Sequence, residues 1–204
     1  MFDPRTLTLL AITDDLRDGV EGLVGRATAA VRGGATMVQL RLKDANARTL
    51  VEVARALVAE LTVPVVVNDR ADVALTAGAA GVHLGIDDLP VAAVRGIAPQ
   101  GFIIGASVGN DAELPAARGA DYVGIGPVYG TLSKSDAGAP IGVAEFARLA
   151  RECGMPAVAI GGVTADSAAP LIAAGASGIA VIRAVMGALD PEAAARTFGS
   201  ATGR

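Results

Sequence analysis

Gly34-Ala35-Thr36-Met37-Val38, Gly78-Ala79-Ala80-Gly81-Val82, Gly119-Ala120-Asp121-Tyr122-Val123 and Gly175-Ala176-Ser177-Gly178-Ile179 repeat one pattern. Each copy is a glycine, an alanine, two variable residues and a β-branched residue. The glycine ends a helical stretch, and the β-branched residue lies in an apolar strand. The copies begin 44, 41 and 56 residues apart. Each spans two strand–helix units, and there are four of them. A closed barrel of eight alternating units would show this fourfold repeat. An open doubly wound sheet fits the alternation of elements nearly as well, but it has no reason to be fourfold.

Working outward from these copies, short apolar runs at 7–12, 37–42, 63–67, 81–84, 102–106, 122–125, 156–160 and 178–182 read as strands. Between and after them, 20–31, 46–61, 71–77, 91–97, 112–118, 143–153, 165–174 and 191–198 carry apolar residues at helical spacing. Short, fully apolar strands alternating with amphipathic helices imply a parallel sheet covered by helices. The expected fold is therefore α/β, a single-domain (β/α)8 TIM barrel over residues 1–204.

Composition bounds the rest. Hydrophobic residues make up 52% but aromatics only 3%, so the core must be built from Ala, Val, Ile and Leu. The net charge of -4 argues against a nucleic-acid partner. One cysteine and one histidine exclude an internal disulfide and a multi-histidine metal site. The opening Met-Phe-Asp-Pro-Arg lacks the apolar run of a signal peptide, and the longest apolar stretch is broken by Pro170. The expectation is a soluble cytoplasmic protein with no membrane partner and small-molecule substrates. The sequence leaves a homo-oligomer open.

Barrel active sites lie at the C-terminal ends of the strands. At the second strand, Gln39, Arg41 and Lys43 alternate, which puts all three on one side. A buried strand has no structural reason for that, whereas an Arg and a Lys at a barrel mouth suit a polyanion such as diphosphate. Asn68-Asp69 follows the third strand and Asp87-Asp88 the fourth. Carboxylates from neighbouring strand ends can share Mg²⁺. Asn and Asp also cap helices, so both readings stand. Ser107 follows the fifth strand. His83, ending the fourth, reads either as a general base or as a histidine satisfied within the core, and no serine–carboxylate set accompanies it.

After the sixth strand, residues 124–142 read G-I-G-P-V-Y-G-T-L-S-K-S-D-A-G-A-P-I-G. Small residues expose backbone N–H groups, and Thr131, Ser133 and Lys134 add donors, as in a loop that closes over phosphate. An ordinary surface turn has a similar composition. Gly161-Gly162 after the seventh strand, with Ile182-Arg183 after the eighth, matches the barrel phosphate site of paired glycines and a helix N-terminus. There is neither a dinucleotide fingerprint nor a P-loop. Two anion sites around one mouth suit the joining of a diphosphate ester to a phosphorylated partner.

The motifs Q-L-R-L-K, V-N-D-R-A-D, G-V-H-L-G-I-D-D-L-P, G-A-S-V, G-P-V-Y-G-T-L-S-K and A-I-G-G-V, in this order, resemble the thiamine-phosphate synthase family. The resemblance runs from about residue 9 to residue 198. It implies a (β/α)8 barrel that condenses hydroxymethylpyrimidine diphosphate with thiazole phosphate, with Mg²⁺ as cofactor, giving thiamine monophosphate and diphosphate. It further implies that Gln39, Arg41, Lys43, Asn68, Ser107 and Lys134 hold the pyrimidine diphosphate, with Ser107 and Lys134 as the catalytic residues. Asp69 and Asp88 would bind the metal. Thr131, Leu132, Ser133, Gly162, Ile182 and Arg183 would hold the thiazole phosphate. The implied mechanism is dissociative. From its place after the sixth strand, the 124–142 loop is expected to be mobile when empty and to close over both substrates. Leu10, Ser133 and Arg183 stand where the family more often has tyrosine, threonine and serine. Two rivals are a thiazole tautomerase-like paralogue and a non-catalytic barrel that binds a phosphate ligand. The first would call for a histidine after the sixth strand, where this chain has Pro127.

Overall fold

The computed structural model describes residues 2–131 and 138–201. Eight strands form the centre: β1 (Leu9–Ile12), β2 (Met37–Leu40), β3 (Val65–Asn68), β4 (Gly81–Leu84), β5 (Ile103–Val108), β6 (Tyr122–Ile125), β7 (Ala157–Ile160) and β8 (Gly178–Val181). Each pairs in parallel with the next, and β8 pairs with β1, so the sheet closes into a barrel. The expected barrel, rather than the open sheet, is what forms.

The repeated glycines have a physical reason. Gly34, Gly78, Gly119 and Gly175 all take positive φ, between 71° and 113°. At each, the chain leaves a helix or turn and reverses into a strand through a backbone conformation that costs a side chain energy.

Period two divides the strand residues between two cores. Leu10, Ile12, Met37, Val66, Ile103, Tyr122, Val158 and Ala180 pack together inside the barrel, above Leu7 from the preceding turn. Their neighbours, among them Leu9, Ala11, Val38, Leu40, Val65 and Val67, pack outward against the helices. Seven α-helices lie among the described residues: α1 (Gly19–Arg32), α2 (Ala47–Glu60), α3 (Ala71–Ala77), α4 (Val91–Ile97), α5 (Gly142–Cys153), α6 (Ala165–Ala173) and α7 (Pro191–Ala201). None is long and apolar enough to cross a membrane.

Three expectations need correction. The helix expected at 112–118 is instead a short 3-10 helix, Asp111–Glu113, followed by turns. Pro115 has no N–H to donate to Asp111, and the chain continues through i→i−3 bonds from Ala116 to Glu113 and from Arg118 to Pro115. The second strand stops at Leu40, so Arg41 and Lys43 lie just past its end. Directly after β8 there is a single helical turn rather than a helix N-terminus. In it Met186 N–H donates to Ile182 O at 2.9 Å, and α7 starts only at Pro191.

Candidate active site at the barrel mouth

The inward positions at the C-terminal ends of the strands open into one cavity of about 1300 Å³. Its wall has two chemical halves. Along β2 to β6 the inward residues include Gln39, Asn68, His83, Ser107 and Tyr122. Along β7, β8 and β1 they are Val158, Ile160, Ala180, Ile182, Leu10 and Ile12.

The polar half is tied together across strands. Gln39 is buried at 3% exposure, and its Nε2 donates to Asn68 Oδ1 at 2.7 Å. That bond leaves the Gln39 carbonyl and the Asn68 amide hydrogens for other partners. His83 lies between Tyr122 and Ser107, with Nδ1 3.1 Å from the tyrosine hydroxyl and Nε2 3.1 Å from Ser107 Oγ. The histidine is thus held by hydrogen bonds inside the barrel while still facing the cavity.

At the rim of this half, Arg41 and Lys43 line the cavity, and Arg41 has no carboxylate partner among the described residues. Thr13 fixes the backbone there. Its Oγ1 donates to Arg41 O at 3.0 Å and accepts from Arg41 N at 2.8 Å, which carries the β1–β2 pairing beyond the strands.

Asp69 and Asp88 also line the cavity. Asp69 takes φ 63°, the one positive value at a non-glycine among the described residues, and its N–H donates to His83 O at 2.8 Å. Asp88 Oδ2 accepts from Gly85 N–H at 2.6 Å, closing the turn after β4. Neither aspartate caps a helix, since α3 has Arg70 and α4 has Pro90 at the cap position. The described residues contain no cluster of three His, Cys, Asp or Glu able to hold a metal. Two carboxylates nevertheless suit Mg²⁺, which takes one or two together with phosphate oxygens and water.

On the opposite side, Thr131, Gly162, Ile182 and Arg183 line the same cavity. The paired glycines have a packing reason of their own. A Cβ on Gly161 would meet Pro127 Cβ at 2.5 Å, and one on Gly162 would meet the Gly130 carbonyl at 2.4 Å. The start of the 124–142 loop therefore packs on the glycine backbone. The base of that loop is pinned by Tyr129 N–H to Gly161 O at 2.9 Å and by Gly142 N–H to Val128 O at 3.0 Å. Leu132, Ser133 and Lys134 lie outside the described residues. Thr131 and Gly138, on either side of that segment, both line the cavity.

The family model described as thiamine monophosphate synthase matches residues 9–185, from the first strand to the turn after the last. The chain belongs to this family. A protein of Xanthobacter autotrophicus named thiamine-phosphate synthase is 46% identical, with 98% of each chain covered. One of the same name from Methanoculleus marisnigri is 47% identical over 93% of this chain and 92% of its own. The solved structure of a thiamine phosphate pyrophosphorylase from Pyrococcus furiosus superposes with a TM-score of 0.86 at 38% identity, covering 98% of this chain and 96% of that one. A 3-hexulose-6-phosphate synthase shares the fold at 19% identity and a TM-score of 0.74.

Two residues of the mouth carry no signal in the sequence. Tyr122 reads as one more apolar strand residue, and burial pushes its hydroxyl well above the ordinary tyrosine range. Its hydrogen bond depends on the register of β4, β5 and β6, which sets Tyr122 beside Gly105 and Gly105 beside His83. Glu113 also lines the cavity. Its Oε2 accepts from Gly109 N–H at 2.7 Å and its Oε1 from Asn110 Nδ2 at 2.8 Å. By contrast, Asp14 and Asp15 after β1 turn away into ion pairs with Arg17 and Arg26.

Proposed function

We infer that this barrel is a thiamine-phosphate synthase, condensing a hydroxymethylpyrimidine diphosphate with a thiazole phosphate. Supporting the assignment is family membership along nearly the whole chain. The observation that carries the reading of the site is its division: a polar, cation-rimmed half on β2–β6 facing an apolar half on β7–β1.

On this reading the pyrimidine sits in the polar half. The Gln39–Asn68 pair meets its ring donors and acceptors, and Ser107 stands beside the reacting end. Arg41, Lys43 and Lys134 bind the diphosphate, and Asp69 and Asp88 would hold Mg²⁺ against it. The metal, when bound, supplies positive charge that stabilises the departing diphosphate. The thiazole lies along the apolar half, with its phosphate held by Thr131, Leu132, Ser133, Gly162, Ile182 and Arg183.

The chemistry requires no side-chain nucleophile. The bond between the pyrimidine methylene and the diphosphate oxygen breaks, and its electron pair leaves with diphosphate. The thiazole nitrogen then donates its own pair to the methylene, forming the new C–N bond. Cationic residues favour the first step because negative charge collects on the leaving group. Isoleucines around the methylene favour the second, since they keep water from capturing it.

The test is diphosphate release with both substrates and Mg²⁺ present. Release that requires all three is expected. Binding of either substrate without release would mean a ligand-binding barrel instead. Lys134→Ala and Asp69→Ala should each slow release at least a hundredfold with the melting temperature little changed. Near-normal rates would remove these residues from the site.

A further inference from the structure

The one histidine of the chain sits in the middle of a hydrogen-bonded line of three side chains, Tyr122, His83 and Ser107. An imidazole can meet two hydroxyls in two ways, and the surroundings of Tyr122 decide between them. Tyr122 is fully buried, and its hydroxyl has one hydrogen-bond partner among the described residues, His83 Nδ1 at 3.1 Å. If Nδ1 carried a proton, Tyr122 could only accept. Its own O–H would then be sealed inside the barrel without an acceptor, at the full desolvation cost of a buried donor. This holds for the Nδ1–H tautomer and for the doubly protonated ring alike. Tyr122 must therefore donate to Nδ1, which leaves the proton on Nε2. Nε2–H then donates to Ser107 Oγ, 3.1 Å away. With its oxygen accepting from the histidine, Ser107 has its own hydroxyl hydrogen left over, and Ser107 lines the cavity.

The packing around the line is specific to it. Gly105, paired with His83 on one side and Tyr122 on the other, leaves the space in which the two side chains meet. A Cβ there would lie 2.5 Å from His83 Nδ1 and 2.3 Å from Tyr122 Cζ.

We propose that Tyr122 and His83 are positioning residues that lock one imidazole tautomer and so hold Ser107 as a hydrogen-bond donor to the bound substrate. The direction of donation is opposite to that of a hydrolytic serine, which gives its proton to the histidine and attacks. Here the serine keeps its proton and presents it to an electron-rich oxygen or nitrogen of the substrate. The proposal rests on the synthase reading for the identity of that substrate, but the tautomer itself can be measured without substrate.

With a single histidine, ¹⁵N-histidine labelling gives one imidazole to observe. The wild-type protein should show a protonated Nε2 and a bare, accepting Nδ1. Tyr122→Phe removes one oxygen and should release the lock, giving a mixed or reversed tautomer. It should also lower kcat about tenfold while KM for the pyrimidine diphosphate stays within about twofold. A wild-type Nδ1–H signal would overturn the proposal, and so would a Tyr122→Phe protein with unchanged signal and unchanged kcat. Should Tyr122→Phe fold poorly, the wild-type spectrum still decides the tautomer. Absence of turnover in the wild type with the Nε2–H signal intact would overturn the synthase reading and leave the lock standing.

Discussion

Gly105→Ala adds one methyl group at the point where three elements converge. Its Cβ would lie 2.3 Å from Tyr122 Cζ, 2.6 Å from Tyr122 Cε1 and 2.5 Å from His83 Nδ1. Ordinary contacts between such atoms are about 3.5–4.0 Å, so each ring would have to retreat by more than ~1 Å. Tyr122 has nowhere to go, being fully buried with the Phe2 ring stacked 6.1 Å from it. Overpacking of this kind costs about 1–3 kcal/mol, and separating the tyrosine hydroxyl from His83 costs about 1–3 kcal/mol more. The two costs overlap because one movement causes both, so about 2 kcal/mol in total is expected. For a domain of this size each kcal/mol moves the melting temperature by about 2–4 °C, so a fall of at least ~4 °C is expected. Turnover should fall too, since the same retreat pulls His83 from Ser107. A thermal melt and a diphosphate-release assay on one preparation measure both. A variant that melts within ~1 °C of wild type with full activity would show that the rings do not sit as described, and the account of the barrel interior would fail with it.

A glycine in open space gives the contrasting result. Gly25 lies on the exposed face of α1 with nothing within 4 Å of its added Cβ, so Gly25→Ala should raise stability by about 0.5–1 kcal/mol in urea denaturation. Asp121 works at the end of the barrel opposite the mouth, where its Oδ2 accepts from Ile104 N–H and from Arg95 Nη2, both at 2.8 Å. Asp121→Ala should therefore cost about 1–3 kcal/mol in a thermal melt while kcat stays unchanged, and a fall in kcat at full occupancy would mean that the two ends of the barrel are coupled. On the outer surface, Arg148 joins Glu145, Glu152 and Asp111, and its hydrogen bond holds the Glu145 carboxyl below the ordinary glutamate range. A depressed carboxyl value means the stabilisation is present above the unfolded value and lost as pH falls through the folded one. The urea midpoint of wild type should thus drop slightly more than that of Arg148→Ala between neutral pH and about pH 3, and equal drops would show that the exposed pair contributes nothing.

The fold was legible because its determinants are local. A glycine that must take positive φ, followed by a β-branched run, can be read wherever it occurs, and four copies fixed the closure. The helix expected at 112–118 fails for an equally local reason, because Pro115 has no N–H to donate within it. Of the polar residues of the mouth, Gln39 is legible as an exception to burial on its strand, whereas Arg41 and Lys43 lie just past the strand end, where the period-two reading no longer applies. Tyr122 was not legible. A tyrosine in an apolar strand looks like core, and only the register that sets Tyr122 beside Gly105, and Gly105 beside His83, reveals a partner for its hydroxyl. Thr13 was hidden in the same way, since its bonds to Arg41 depend on β1 lying next to β2. In the sequence Gly161 and Gly162 suggest phosphate binding, whereas their close approach to Pro127 and Gly130 is invisible in a linear chain.

On the proposed mechanism, the apolar arc of the mouth has a chemical role that its residue types do not announce. Ile12, Ile160 and Ile182 read as core, and their burial alone would account for them. Yet Ile160 and Ile182 are only partly buried and border the cavity, on the side where the inward strand positions are apolar and Thr131 and Arg183 stand at the rim. A barrel that only bound two phosphorylated molecules would gain from further donors there. A barrel that lets a diphosphate leave before the new bond forms has the opposite need. The electron-poor methylene must meet the thiazole nitrogen before it meets water, and every polar side chain at that wall would hold a water in place. On the proposed mechanism the division of the mouth has a reason: cations gather where negative charge would develop, and the inward strand positions along the nucleophile's approach are hydrocarbon. The proposed Tyr122–His83–Ser107 line fits the same requirement, because it supplies one directed donor at the boundary.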